Sequence, residues 1–190
     1  SEPSAREVRA QMRLARGDLD GALEDRELAL ARAREIKDLQ ALLPALVVSA
    51  TMFAALGRET EARTYAHEAL EIVERNPTWA PALGGLNVLP ERLGLRREIR
   101  KIMEEAAESP WREAAQAGAE GDLRRAASVF ERMGLPTLAA RAGLAAAEDL
   151  IQAGRRGEGG AELRKALEFY RSVGATFFIE RGEALLAKTA

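Results

Sequence analysis

A spacing of glycine and alanine recurs along the chain and limits it to closely packed helices. Four glycines, Gly17, Gly57, Gly121 and Gly154, each separate two stretches with the three- and four-residue periodicity of helices. Small residues stand at equal distances from them, seven before, five after and twelve after. Ten of these twelve positions are alanine, and the full set is Ala10, Ala22, Ala29, Ala50, Ala62, Ala69, Ala114, Ala126, Met133, Ala147, Gly159 and Ala166.

Small side chains at these positions have a physical reason. Two antiparallel helices joined by a tight glycine turn approach closely only where their crossing point lacks bulk. The position seven before each glycine and the position five after it are expected to face each other at that crossing. A hairpin of two such helices cannot bury its faces alone, so we expect successive hairpins to stack.

Glycine and proline also mark where helices begin and end. Between these residues lie helical stretches of ordinary length, and period-two alternation is rare. Asp18 and Asp122 each follow a glycine and precede a helical pattern, which predicts helix N-caps. Ser109 before Pro110 predicts an N-cap followed by a proline in the first turn. Because aromatic residues make up only 5% of the chain, small aliphatic side chains must fill the core.

The glycine and alanine pattern resembles the tetratricopeptide repeat family, whose units are helix–turn–helix pairs. The resemblance implies an all-α, right-handed array of about four to five helical hairpins. The chain is then one helical-repeat domain, residues 1–190, with units of roughly 3–37, 42–76, 79–108, 109–134 and 137–174 and a capping helix at 176–188. The unit around Gly94 departs most from the pattern, since Asn87 and Ile99 occupy its crossing positions.

The last 80 or so residues carry a narrower resemblance. "SPWREAAQAGAEGDLRRAASVFERMGLP" and the stretch from "LIQAGRRGEGG" to the end resemble the C-terminal helical arrays of large bacterial signal-transducing ATPases. Proteins of that family often also carry nucleotide cyclase or DNA-binding domains. The resemblance implies a non-catalytic sensing or scaffolding segment, and the absence of an initial methionine suggests a fragment of a longer protein.

Composition narrows the function further. A net charge of −2 offers no general attraction to nucleic acid or to an anionic membrane. Without cysteine, the chain has no disulfides, thiolate metal sites or cysteine nucleophiles. The polar first residues lack the apolar stretch of a signal peptide, so we expect a cytoplasmic protein.

Four features of the sequence could carry chemistry, and each favours an ordinary structural role. The only glycine-rich loop, from Gly154, lacks the GxxxxGK[ST] and GxGxxG spacings of phosphate sites. His67 is the sole histidine and has no partners for a metal site. The abundant carboxylates alternate with arginines at helical spacing, which is typical of surface ion pairs. The basic stretch 91–101 has no interleaved aromatic residues. We therefore predict no catalytic residues, no metal and no cofactor.

The stretch from Ala41 to Gly57 is uncharged, with only Ser49 and Thr51 as hydrophilic side chains. A central position among other helices would explain this composition. The alternative is an exposed apolar strip on the inner, concave face of the array.

A binding surface is expected on the first helix of each unit, on the face turned away from the alanine crossings. The candidates share helical spacing within each unit and are mostly apolar. They are Gln11, Leu14, Val47, Thr51, Ala54, Trp79, Val88, Trp111, Ala115, Leu144, Glu148 and Ile151. Irregular stacking that buries the whole stripe is the alternative.

Two functions fit these observations. The first is a non-catalytic protein–protein interaction or regulatory module of a signalling ATPase, which would bind a peptide, an amphipathic helix, a neighbouring domain of its own chain or a second copy. The alternative is a small-molecule-sensing helical domain. An exposed apolar groove would favour the first, and a closed pocket with converging polar groups the second. Membranes and nucleic acid are the partners that the composition disfavours.

Overall fold

The computed structural model describes residues 2–88 and 92–187; for residues 87 and 88 it describes the backbone alone. Within these residues the protein is all-helical and has no strand. The helices are α1 (Glu2–Ala15), α2 (Leu19–Ile36), α3 (Leu39–Ala55), α4 (Glu59–Arg75), a 3₁₀ helix (Pro77–Val88), α5 (Arg96–Glu105), α6 (Pro110–Glu120), α7 (Leu123–Arg132), α8 (Pro136–Gln152), α9 (Arg156–Ser172) and α10 (Thr176–Leu186).

One type of turn joins most of these helices. At the α6–α7 connection, Gly121 has a φ angle of 83°, and the following N–H of Asp122 donates to the carbonyl of Ala117 over 2.8 Å. This hydrogen bond closes a helix end through a left-handed residue that glycine adopts without strain. The same bond follows the glycines at positions 17, 57, 134, 154 and 174. The predicted glycine turns are confirmed.

The predicted N-caps are also confirmed. The Asp18 carboxylate accepts a hydrogen bond from the N–H of Gly21, and the Asp122 carboxylate accepts one from the N–H of Arg125, each over 3.1 Å. Ser109 caps α6 by accepting from the N–H of Arg112. These side chains satisfy N–H groups that the first helical turn leaves without a partner.

The small residues lie where helices cross. All ten alanines of the pattern are buried, with 3% of the surface or less exposed. A Cβ atom added to Gly159 would lie 3.1 Å from the carbonyl oxygen of Ala147 and 2.7 Å from Ile151 Cγ1. Residues 147 and 159, which stand seven before and five after Gly154, therefore meet at the crossing of α8 and α9, as the spacing predicts.

Helix α3 occupies the centre of the protein. It contacts α1, α2, α4 and the 3₁₀ helix, and its buried residues lie on every side of it. The hydroxyl of Ser49 donates to the Ala45 carbonyl, and the hydroxyl of Thr51 donates to the Val48 carbonyl, so neither polar group is buried without a partner. Its uncharged sequence is explained by this central position. Among the described residues, no helix has the length and hydropathy needed to cross a membrane.

The segment before Gly94 differs from the expected α-helical hairpin. Residues 77–88 form a 3₁₀ helix that contains Pro81, followed later by the short helix α5. Proline removes a backbone donor, and Gly84 and Gly85 weaken an α-helix. Both glycines are needed for packing, since a Cβ at Gly84 would lie 2.2 Å from the Trp111 ring and one at Gly85 2.9 Å from Val47.

The two ends of the helical succession meet. Consecutive helices pack against each other along the chain, but α1 also contacts α10. Met52 of α3 belongs to the same buried cluster as Leu144 of α8 and Phe178 of α10. Helix α10 ends at Leu186, and the last residue of the predicted capping helix, position 188, lies outside the described residues.

Candidate functional site

A cavity of about 1150 Å³ lies where the two ends of the array approach each other. Its walls come from the C-terminal ends of α1 and α3, the α6–α7 turn, α8, α9 and α10. The volume is slightly above the range of about 300–1000 Å³ that is usual for small-molecule pockets. Leu14, Leu144, Phe178 and Leu185 form apolar parts of its wall, and Arg141, Glu148, Tyr170 and Arg181 form polar parts.

Arg141 reaches this cavity from the alanine-rich helix α8. Its neighbours Ala140, Ala142 and Gly143 are buried, which lets α8 pack closely; a Cβ on Gly143 would lie 3.8 Å from the Cβ of Ala166 on α9. The Arg141 guanidinium points toward α1, where its Nη2 donates a long hydrogen bond of 3.4 Å to Gln11 Oε1. The fold thus places one long cationic side chain between the first and last parts of the array.

The charge of Arg141 has no carboxylate counterpart among the described residues. The cavity wall contains four other arginines, and each forms an ion pair: Arg92 with Glu59, Arg124 and Arg155 with Glu158, and Arg181 with Glu148. Burial lowers the pKa of Arg141, because the guanidinium loses water without gaining an anion. Arginine stays protonated at neutral pH even so, and the Arg141 side chain is only partly buried.

Tyr170 of α9 brings a second unsatisfied polar group to the same wall. Only 2% of its surface is exposed, and within the described structure its hydroxyl has no hydrogen-bond partner. Its ring stacks on Phe178 at 4.9 Å between centroids, which fixes its direction. Burial raises the pKa of Tyr170 to about 12, against a lowering by the nearby cations Arg141 and Arg181. The hydroxyl is therefore a neutral donor at physiological pH.

Arg181 has a different role, because its hydrogen bonds are already made within the protein. Its Nε and Nη2 donate to Glu148 Oε1 over 2.9 and 2.6 Å, and its Nη1 donates to the carbonyl of Ala55 over 3.0 Å. These bonds join α10 to α8 and to the end of α3. Arg181 therefore holds the cavity wall together, and Arg141 is the cation that is left for a bound group.

The structure distributes the residues of the predicted binding stripe over three environments. Leu14, Thr51, Leu144 and Glu148 line the cavity, and Gln11 touches it through Arg141. Val47, Ala54 and Ala115 are buried in the core. Trp79, Trp111 and Ile151 are half-buried against core clusters, and the side chain of Val88 lies outside the described residues.

Sequence reasoning missed Arg141, Tyr170 and Arg181 as site residues. Arg141 carried a usable signal, since it is the only charged residue between Leu135 and Ala147 in an alanine-rich helix. An isolated charge on a helix that packs on several sides is often functional. Tyr170 and Arg181 carried no such signal, because both lie in ordinary amphipathic patterns.

The other candidate features of the sequence occupy positions with an ordinary structural role. His67 is exposed on α4, and Gly157 and Gly159 lie within α9 rather than in a loop. In the basic stretch, Arg92 pairs with Glu59 and Lys101 with Glu74. Within the described residues, no group of three or more metal-ligating side chains is arranged around a common point.

Comparisons with known proteins identify no match to this chain. No protein-family model, curated protein or solved structure matches the chain at a significant level. The function therefore has to be argued from the cavity and its side chains.

Proposed function

We propose that this chain is a non-catalytic regulatory module that binds a small molecule in the cavity between the two ends of its helical array. The observation that carries the proposal is the cavity together with Arg141 in its wall, a cation that forms no ion pair within the described residues. A pocket with apolar walls and a few converging polar groups is the usual form of a small-molecule site.

A right-handed tetratricopeptide-like array is the architecture we propose for this module. Its support is the repeated glycine turn, the buried alanine crossings and the contact of each helix with the next. The resemblance of residues 109–190 to the helical arrays of bacterial signal-transducing ATPases supports a cytoplasmic regulatory setting, in which binding in the cavity would alter the activity of the other domains.

A small molecule fits the geometry better than a peptide in an open groove. Several residues of the predicted stripe, such as Val47, Ala54 and Ala115, are buried and offer no surface to a partner. The contact between α1 and α10 also narrows the concave side. What remains accessible is a cavity of limited volume rather than a long apolar channel.

A protein partner is the second candidate, and one observation favours it. Val8 and Met12 stand one helical turn apart on α1 and are 56% and 49% exposed. An apolar pair of this kind on an outer helix face suits a neighbouring domain or a second copy. Val8→Glu should leave the fold intact and, if this candidate is correct, weaken self-association measured by sedimentation.

The test of the main proposal is a ligand screen by thermal shift and NMR, followed by two matched tryptophan variants. Ala145 lines the cavity, so Ala145→Trp should fill it and abolish binding of any hit. Ala31 is exposed on α2 and outside the cavity, so Ala31→Trp should bind normally. A ligand present at about 100 times its Kd stabilises the folded state by about 2.7 kcal/mol, which a thermal shift detects. Hits that bind both variants equally would place the ligand elsewhere and contradict the proposal.

A further inference from the structure

The cavity also indicates which chemical class of molecule it receives. Resting on the proposed function, we infer that the ligand is a small organic monocarboxylate, whose carboxylate binds the Arg141 guanidinium and whose hydrocarbon part lies against the apolar wall.

Arg141 carries only hydrogen-bond donors, and the side-chain hydrogen bond that it makes within the described protein is the long contact with Gln11. A cation that offers only donors calls for an acceptor with negative charge. A carboxylate matches the planar fork of a guanidinium and accepts two parallel hydrogen bonds from it.

Arg141 also differs from the other arginines of the cavity wall. Arg92, Arg124, Arg155 and Arg181 each form an ion pair with a carboxylate of the protein. No such pair is made by Arg141 within the described residues. The difference is explained if the anion for Arg141 is supplied by a ligand.

The cavity wall also indicates that the ligand carries a single negative charge and a hydrocarbon part. The cavity wall holds five arginines and five carboxylates, so it has no general excess of positive charge for a polyanion. The carboxylates of Glu120 and Asp122 would repel a second negative charge. Leu14, Leu144, Phe178 and Leu185 line the same cavity, and they favour a hydrocarbon chain or ring next to the charged group.

The experiment compares acids with their amides on the wild-type protein. Hexanoate and phenylacetate are titrated by NMR beside hexanamide and phenylacetamide, which have nearly the same size but no charge. We expect both acids to bind and the amides to bind at least ~30-fold more weakly, as is usual when a charged hydrogen bond is lost. Inorganic phosphate should bind more weakly than either acid.

Two variants locate the carboxylate. Arg141→Gln should weaken hexanoate binding about 30-fold. Arg155→Gln is the matched control, because Arg155 lines the same cavity but pairs with Glu158 at its exposed rim. It should change binding less than 2-fold or so. Circular dichroism and thermal melts check that each variant is folded.

Several results would overturn the inference, and they separate it from the proposed function. Amides that bind as tightly as the acids, or hexanoate binding that survives Arg141→Gln, would reject the carboxylate, although binding blocked by Ala145→Trp would still support a small-molecule site. Phosphate as the tightest probe would assign an inorganic or phosphoryl anion instead. Should no small molecule bind at all, while a peptide with a free C-terminal carboxylate does, both proposals fail.

Discussion

At the scale of single residues, the most strongly held charge is Asp25. Arg9 binds its carboxylate with two nitrogens, and Arg13 Nη1 lies 3.0 Å from Asp25 Oδ2. Arg9 donates the hydrogen bond that contributes most to lowering the pKa of Asp25, and the charges of Arg13, Arg9 and Arg6 add to it. The cluster joins α1 to α2 through side chains that lie on facing helix surfaces.

Asp25→Asn is expected to destabilise the protein by about 2–4 kcal/mol, because it removes the charge from a buried ion pair and leaves three arginines without it. Urea unfolding at neutral pH measures the loss. Since the folded pKa of Asp25 is lowered, its stabilisation is present above the unfolded pKa of about 3.9 and disappears as pH falls through the folded value. The control is Glu35→Gln, which breaks an exposed pair with Arg32 and should cost less than about 0.5 kcal/mol. Equal losses in both variants would contradict the assigned role.

Glu7 on α1 is the opposite case, a buried carboxyl with no partner for its Oε1 among the described atoms. Burial raises the pKa of Glu7 from 4.5 to about 7. The folded state therefore holds this proton more tightly than the unfolded state. Its stabilising effect is complete below about pH 4.5 and is lost as pH rises through about 7.

We expect Glu7→Gln to remove this pH dependence. At pH 8 the variant should be more stable than the wild type, by up to about 3 kcal/mol, since each pKa unit corresponds to about 1.4 kcal/mol. At pH 5 the difference should shrink to about 1 kcal/mol or less, because Glu7 is then neutral in the folded wild type. Thermal melts at pH 5, 6, 7 and 8 measure the difference. Parallel curves for the two proteins would show that Glu7 is not the group responsible.

At the scale of elements, helix packing depends on glycines that differ in their surroundings. Gly157 and Gly159 lie two residues apart in the first turn of α9. A Cβ on Gly157 meets no atom within 4 Å, whereas a Cβ on Gly159 meets the backbone of α8. One glycine is thus required by the crossing and the other is not.

Alanine substitutions at these two positions should have opposite signs. Gly157→Ala should stabilise by about 0.5–1 kcal/mol, because alanine has the higher helix propensity. Gly159→Ala should destabilise by about 1–3 kcal/mol, since α8 and α9 must move apart to accept the methyl group. Denaturant unfolding of both variants gives the comparison. A stabilised Gly159→Ala protein would mean that the crossing is looser than its geometry indicates.

At the scale of the whole molecule, closure of the array depends on α10. Arg181 bonds to Glu148 and to the carbonyl of Ala55, and α10 also contacts α1. Its side chain and that of Glu148 are only 27% and 22% exposed, so the pair is partly shielded from water. The cavity exists because these contacts hold the last helix against the first half of the chain.

Arg181→Met should open this closure without unfolding the protein. Hydrogen exchange in residues 176–186 should become faster by about 10-fold, in keeping with the loss of a few charged hydrogen bonds, while exchange in α4 stays unchanged. Arg171→Gln is the control, because it breaks an exposed ion pair that joins α10 to α9 through Glu183. If the two variants exchange alike in α10, Arg181 does not hold the end of the array.

Local features were readable from the sequence because local chemistry determines them. The turn at Gly121 requires a left-handed residue, the caps at Asp18 and Asp122 satisfy nearby N–H groups, and the alanines follow from helix geometry alone. The 3₁₀ helix at 77–88 was missed, although Pro81 and the two following glycines were visible, because its packing against Trp111 and Val47 is a tertiary contact.

The sequence by itself thus determined the helices, their turns and the small residues at their crossings, each set by neighbours a few positions away. Only the tertiary structure decided that α10 meets α1, that α3 is central and that Arg141 is left without a carboxylate. Such features depend on how all the intervening helices pack against one another. Gln11 and Arg141 stand 130 residues apart in the chain, so they meet only after every intervening helix has packed.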